Sequence, residues 1–375
     1  MFGDVVTNIN DYFDPGRDGV LPYVAGPHID PGVATVSRYG STDEDDFPPT
    51  FKRKFRRGDV LLHSRGIEKL AAVDRTGVTG EKLFVLRVKS DAALLQDFLP
   101  WLVLSPQAQT HMRANFTGSV NKFLNWKPLA SMEVLLPPLD EQRRIADLLW
   151  ALERHRLTVS ARTEACQRVA DEVFSASVAI RATETIPLPM LMNEMTVGVV
   201  VQPTQYYTDD PAGVPALRGL NIKPGAFDLG DLVRFTPHRA AELKKSTLGP
   251  GDVAIVRTGR PGDAAVVTED IAGFNCIDLI IARPGPGLVP EFLAHFLNSS
   301  YGRGQISRLS AGTAQQHFNV GALKKLKIPD IGVDEQVELV ERVEGVRLSS
   351  GLSRAELEQL GVTRVALLAE VFGGV

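Results

Sequence analysis

Pro22, Gly26, Ile29, Pro31 and Gly32 return in the same order as Pro215, Gly219, Ile222, Pro224 and Gly225, an offset of 193 (215 − 22). The pattern persists down the chain. Gly58-Asp59-Val60 recurs as Gly251-Asp252-Val253 at that offset, and Gly118, Asn125 and Asp140-Glu141-Gln142 recur as Gly312, Asn319 and Asp334-Glu335-Gln336 at 194 (334 − 140). Solenoid units run about 20 to 50 residues, so a period this long is a duplicated domain. What recurs is mainly what shapes backbone: Gly, Pro, Asn and Asp at fixed places, with different side chains between them.

Each half opens with short apolar runs bounded by glycine and charge, the pattern of buried strands. These are Asp59–His63 and Lys82–Val88 in the first half, and Asp252–Arg257, Ala264–Thr268 and Cys276–Ala282 in the second. A helix is expected at about 91–113, with Pro290–Asn298 as its counterpart, proline standing at the favoured first helical position. After Pro137-Pro138 the sequence changes in kind. Asp140 is a good N-cap, Glu141 sits in the first turn, and Pro and Gly are then absent for over 35 positions. Ile145, Leu152, Val159, Cys166 and Val173 recur at every seventh position, a coiled-coil-like seam. Some 35 helical residues at about 1.5 Å each would span roughly 50 Å. The second copy, from Asp334 on, has Gly345, Gly351 and Gly361 in its path, each costing about 1 kcal/mol relative to Ala, so a bend or break is expected near Ser349–Gly351.

The expected fold class is therefore α+β: two repeated domains with mixed sheets, joined by two long helices packed as an antiparallel, coiled-coil-like spacer. The expected boundaries are 1–137 for the first domain, 138–180 for the central helix, 181–331 for the second domain and 332–375 for the C-terminal helical segment. No apolar run reaches the ~18 residues of a membrane span and no signal peptide is evident, which points to the cytoplasm. Cys166 and Cys276 stand alone, without metal-ligand spacing, and read as small buried hydrophobes.

Catalytic motifs are missing. There is no phosphate-binding Walker loop, no dinucleotide-binding glycine fingerprint and no nucleophile elbow. The histidines never take a zinc-ligand spacing. Neither Phe47-Pro48-Pro49 nor Leu136-Pro137-Pro138 has the acidic or amide residue in front, or the aromatic behind, of an adenine-methyltransferase motif. Binding fits this inventory better than catalysis. A net charge of −4 is unhelpful to a nucleic-acid reading, but five cations fall within Lys52–Arg57 and four carboxylates within Asp43–Asp46, so the total conceals regional segregation.

With the repeat, Leu136-Pro137-Pro138-Leu139-Asp140-Glu141-Gln142-Arg143-Arg144-Ile145 and its echo Ile328–Gln336, the chain resembles the specificity subunit of Type I restriction-modification systems over nearly its whole length. Gly58–Leu62, Gly251–Gly259 and Ser310–Thr313 leading to His317-Phe318-Asn319 belong to the same ordered set. The resemblance implies a DNA reader without catalytic activity of its own. Its two target-recognition domains read the parts of a bipartite, asymmetric site. It binds two methyltransferase (M) subunits, which transfer a methyl group from S-adenosylmethionine to adenine N6, and restriction/motor (R) subunits; the chain itself holds no cofactor or metal. The second copy departs from the family pattern, with Pro329-Asp330 in place of Pro-Pro, Val337 after Glu-Gln, and about four extra helical residues.

Side chains on base edges carry sequence specificity, while cations on phosphates set register. The candidate DNA contacts are Lys52, Arg53 and Lys54; Arg65; Thr117, Ser119, Asn121 and Lys122; Arg257, Thr258 and Arg260; and Thr313, Gln315 and Gln316. Each has an ordinary alternative as a surface turn or solvated face. Glu141, Gln142, Arg143, Glu335 and Gln336 are expected as partner-docking helix starts, with helix capping as the alternative. A protein-interaction scaffold with duplicated binding domains is the rival reading. A self-sufficient methyltransferase is a third, and the missing motifs weigh against it.

Overall fold

The computed structural model describes residues 1–310 and 318–373. The chain divides into two compact units, Met1–Ala161 with Arg354–Val375, and Arg162–Ser353. The first comprises the N-terminal domain, the beginning of the central helix (Leu139–Ile180) and the end of the C-terminal helix (Val333–Phe372). The second takes the remaining parts of both helices and the second domain.

In the first unit, Val6–Asn8, Leu83–Val88, Val60–His63 and Leu70–Ala72 form an antiparallel sheet in that order. The apolar runs are continuous because both faces of this sheet are covered. Val60, Leu62, Phe84 and Leu86 point into a core closed by the helices Leu99–Leu104 and Pro106–Ala114, by Ile145 and Leu149 of the central helix and by Leu368 of the C-terminal helix. The intervening Leu61, Leu83 and Val85 point the other way, against Val24, Ile29 and Phe55. A second sheet covers that face, with order Gly40–Ser41, Pro22–Val24, Gly77–Thr79, Arg53–Phe55 and one parallel pair, Pro22–Val24 with Gly77–Thr79.

The second unit repeats this plan. Met192–Val197, Leu279–Pro284, Val253–Val256 and Ala264–Val266 take the same order, all antiparallel. A mixed sheet again holds one parallel pair, Val214–Leu217 with Asn275–Cys276. Cys276 is buried there, and burial pushes its thiol up to about 12, whereas Cys166 is only half-buried.

Two sequence expectations for helices are corrected. The expected helix at 91–113 is two short ones, because Pro106 lacks the N–H to continue the first, and Ser105 starts the second by accepting the Ala108 N–H at 3.2 Å. The C-terminal helix, expected to break near Ser349–Gly351, is continuous from Val333 to Phe372. Its glycines are not needed for close packing, since a Cβ at Gly345, Gly351 or Gly361 would meet nothing within 4 Å. Burial of Leu339 and Val343 in one unit and Leu368 in the other offsets their propensity cost.

The helix segments run antiparallel within each unit. In the first, Ile145 and Leu149 share a core with Leu368, and His155 meets Glu356. In the second, Phe174 and Val178 share a core with Leu339 and Val343, and Arg181 pairs with Glu335. The buried stripe of the central helix drifts away from a strict seven-residue seam: Val173 is 37% exposed while Phe174 is 1% exposed. A straight α-helix drifts in this sense, by about 20° per heptad.

Candidate nucleic-acid interface

Two loops picked out separately in the sequence are neighbours in space. In the first domain the Leu124 N–H donates to the Ser64 carbonyl at 2.7 Å, which joins the Arg65-Gly66 turn to the loop Thr117–Phe123. In the second the Phe318 N–H donates to the Arg257 carbonyl at 2.9 Å, so the residue that closes the matching loop meets the matching turn. Thr313, Gln315 and Gln316 lie in that second loop, outside the described residues.

The first-domain loop is a small hairpin. Thr117 and Phe123 exchange two backbone hydrogen bonds at 2.9 Å, and Asn125 donates from Nδ2 to Thr117 Oγ1 at 3.1 Å. Gly118 stands at φ 96°, a conformation that favours glycine. The tip residues Ser119, Val120, Asn121 and Lys122 are exposed. Beside them the Arg65 side chain is exposed and makes no hydrogen bond within the described residues, while its backbone is fixed: His63 Nδ1 accepts the N–H groups of both Arg65 and Gly66 at 3.1 Å. Burial, then Lys69 and Lys82, lower the His63 pKa.

The cationic run is mostly turned to internal use. Arg53 donates to Asn10 Oδ1 at 3.2 Å and to the Leu83 carbonyl at 2.9 Å, and Lys54 pairs with Asp18 at 2.8 Å. The strand places these two, expected on phosphates, against the domain's own acceptors. Lys52 is half-buried. The exposed cations are Arg56 and Arg57, in the turn after the strand, and Lys82 beside the Arg65 turn. Arg56 and Arg57 belong to the cationic run that the sequence marks, whereas nothing in the sequence marks Lys82 as a contact.

The second-domain turn is also tied down. Arg257, 11% exposed, pairs with Asp278, which holds a positive φ of 51°, and Thr258 Oγ1 lies 3.5 Å from the same carboxylate. Arg260 donates to the Ile222 carbonyl at 2.8 Å and faces Asp263 at 3.3 Å. Arg257 is therefore largely taken up by this turn, while Arg260 bonds to its own domain and stays exposed. Thr258 is exposed.

Of the expected docking residues, Gln142 and Gln336 are inside. Gln142 Oε1 accepts the Leu95 N–H at 2.9 Å and its Nε2 donates to the Ala93 and Pro137 carbonyls, both at 2.8 Å. Gln336 repeats the clamp, accepting from Val289 at 2.9 Å and donating to Gly287 at 3.1 Å and Ile331 at 2.8 Å. With 0% and 2% of their surface exposed, neither presents a group to a partner. Glu141, Arg143 and Glu335 remain at the surface, paired with Arg144, Asp140 and Arg181. Glu141 and Arg144 also line a groove of about 840 Å³ in the first unit, whose apolar wall includes Met132, Leu135, Leu148 and Val371.

The class this architecture defines is a duplicated two-domain chain: mixed-sheet domains, each packed on an antiparallel pair of helix segments, with two polar loops brought together in the first. In sequence and in fold the chain is a relative of the specificity subunits of Type I restriction-modification systems. It is 27% identical over 263 residues to the Type I restriction enzyme EcoBI specificity subunit of Escherichia coli, covering 62% of this chain and 55% of that one. It is 20% identical over 374 residues to the MjaVIII specificity subunit of Methanocaldococcus jannaschii, covering 92% and 84%. The chain thus spans about half the length of the first of these relatives. Among solved structures, the Type I S subunit from M. genitalium superposes with a TM-score of 0.53 at 15% identity, over 98% of this chain and 95% of that one. A chain from a type I restriction-modification assembly gives 0.54 at 20% identity, over 99% and 96%. No family model matches the chain.

Proposed function

We propose that this chain is the DNA-reading, non-catalytic subunit of a Type I restriction-modification complex. Each of its domains reads one half of a bipartite site, and the adenine-N6 methyl transfer is carried out by two bound methyltransferase subunits that hold S-adenosylmethionine. Restriction/motor subunits complete the assembly. The observation that carries the reading is the pairing of loops: in both domains one backbone hydrogen bond joins the turn after the strand to the polar loop before the helix. Such a cluster can hold several side chains against adjacent base edges. In the first domain Arg65, Ser119, Asn121 and Lys122 are exposed there. Arg65 suits guanine, Asn121 suits adenine, and Lys122 a phosphate.

Docking of the methyltransferase subunits is supported by apolar surface that the helices leave open. Leu148 on the central helix is 48% exposed, and Val362 and Val365 on the C-terminal helix are 59% and 62% exposed. Exposed apolar side chains on both helices, with Leu148 lining one groove with the paired Glu141 and Arg144, have the composition of a protein interface.

Mapping N6-methyladenine across the host genome with and without the gene tests this function. Loss of one bipartite motif is the expected result. An unchanged methylome in a strain whose methyltransferase subunits are active would overturn the reading.

A further inference from the structure

We propose that His63 is a positioning residue for DNA recognition by the first domain: its unprotonated Nδ1 fixes the turn that presents Arg65. The inference rests on the DNA-reading function proposed above. His63 is the last residue of its strand, and its half-buried ring turns back over the following turn, so that Nδ1 lies 3.1 Å from the N–H groups of both Arg65 and Gly66. A nitrogen that accepts two N–H bonds carries no proton of its own, so the neutral ring holds its hydrogen on Nε2. Space is matched to the ring: a Cβ at Gly26 would fall 2.8 Å from Nε2, so only glycine lets the imidazole lie flat on that loop. Lys69 ties the same loop down by donating to the Gly26 carbonyl at 3.2 Å. The Arg65 guanidinium itself is left exposed, and the Ser64 carbonyl in the same turn receives the Leu124 N–H of the hairpin loop. One ring therefore sets the backbone on which both clustered loops meet.

Protonation of Nδ1 would remove the acceptor and set a cation against two N–H groups. The charged groups facing the ring are Lys69, Lys82 and Arg65, which oppose protonation, and Glu68, which favours it. Burial acts first and in the same sense as the cations, placing the folded-state pKa below the ordinary 6.5. The arrangement is fully present above that ordinary value and is lost as pH falls toward the folded pKa. A simple phosphate ligand would behave oppositely, since a protonated imidazole attracts the backbone more strongly. The second domain has Val256 at the matching position (63 + 193) and holds its turn through Arg257 and Asp278 instead, so among the described residues no histidine fixes that turn.

The test uses the full chain assembled with its methyltransferase subunits, and duplexes carrying the mapped motif either intact or altered in one half-site. Affinities are measured between about pH 8 and about pH 5.5, the range in which histidine titrates. With the folded pKa below 6.5, discrimination at one half-site should fall on acidification, by no more than about tenfold at about pH 5.5. His63→Leu should lose that discrimination by roughly tenfold or more at every pH, the scale of one lost base contact. His63→Asn, whose amide oxygen can accept the same N–H groups, should keep most of the discrimination and lose its pH dependence. Thermal melts of both variants show whether each is folded. Undiminished discrimination in a folded His63→Leu complex, tighter binding on acidification, or failure of His63→Asn to rescue in a folded complex overturns the role of His63. Absence of binding to any duplex at any pH overturns the DNA-reading function itself, and the positioning role with it.

Discussion

The two halves fasten their domains to the helices with the same outer parts and different inner ones. Gln142 and Gln336 make matching clamps, and Phe98 on Phe372 at 5.5 Å is matched by Phe292 on Phe174 at 5.4 Å. Between these fixed points the seams differ. Trp101 packs edge-on to Trp150 at 5.0 Å in the first unit. The positions 194 residues on hold His295 and Glu344, whose Nε2 and Oε1 lie 2.8 Å apart. One turn further, Glu153 is wholly buried, accepting from Arg156 at 2.9 and 3.0 Å and from the Ala34 N–H at 3.0 Å, with Arg364 3.6 Å away. Its counterpart is Arg347, a cation where the first unit has an anion, and it donates to the Pro224 carbonyl at 2.9 Å. Both seams serve the same feature, a Pro-Gly turn with Gly32 and Gly225 at φ 72°: Arg364 reaches the Gly32 carbonyl, and Arg347 the residue before Gly225. Duplication retained the backbone geometry and rewrote the charges that hold it, so the two seams are not interchangeable.

The largest effect should come from the buried carboxylate. Glu153→Ala leaves two arginines and the Ala34 N–H without their acceptor, a loss of about 3–5 kcal/mol by analogy with other broken buried pairs. Calorimetry measures the loss. The three tryptophans, Trp101, Trp126 and Trp150, all lie in the first unit, so their fluorescence reports that unit alone. An unaffected tryptophan transition would break the contrast between the seams.

The clamps test their likeness. Gln142→Leu and Gln336→Leu should each cost about 1–3 kcal/mol, because buried backbone groups lose their partners. Denaturant titration of the two variants should give similar values; a large difference would show that the clamps are equivalent only in geometry.

In DNA binding, Arg65→Ala should reduce discrimination at one half-site by about 1–3 kcal/mol. Lys122→Ala should weaken all duplexes alike and reduce the salt slope by about 1. Arg257→Ala should instead act on stability, since Asp278 loses its partner. Competition binding at several salt concentrations, with a parallel melt, separates these outcomes.

The smallest effect belongs to the second seam. The His295 hydrogen bond, helped by Arg347, outweighs burial and holds the Glu344 carboxyl below its ordinary 4.5. Its contribution is therefore present above pH 4.5 and lost as pH falls through the depressed value. Glu344 is half exposed, so solvent screening limits the effect to under about 1 kcal/mol. Stability measured against pH in wild type and Glu344→Ala should converge in acid, whereas the matching Trp101–Trp150 contact holds no titratable group.

The sequence by itself determined the duplication, the paired strands, the starts of both long helices and the loops worth watching. Those properties reside in local chemistry: glycine and proline fix turns, apolar runs mark strands covered on both faces, and Asp140 and Asp334 favour a first helical turn, although each helix begins one residue earlier and Asp140 is not its N-cap. Only the tertiary structure decided which polar side chains face solvent. Arg53 and Arg65 look alike in sequence, yet one donates to Asn10 and the Leu83 carbonyl while the other is exposed. Gln142 resembled a surface docking residue, but its amide meets groups 47 and 49 residues away. The unbroken C-terminal helix had the same origin, since contacts distant in sequence outweighed its glycines. A side chain's partner is a property of the folded surface around it, and no local pattern records what that surface brings near.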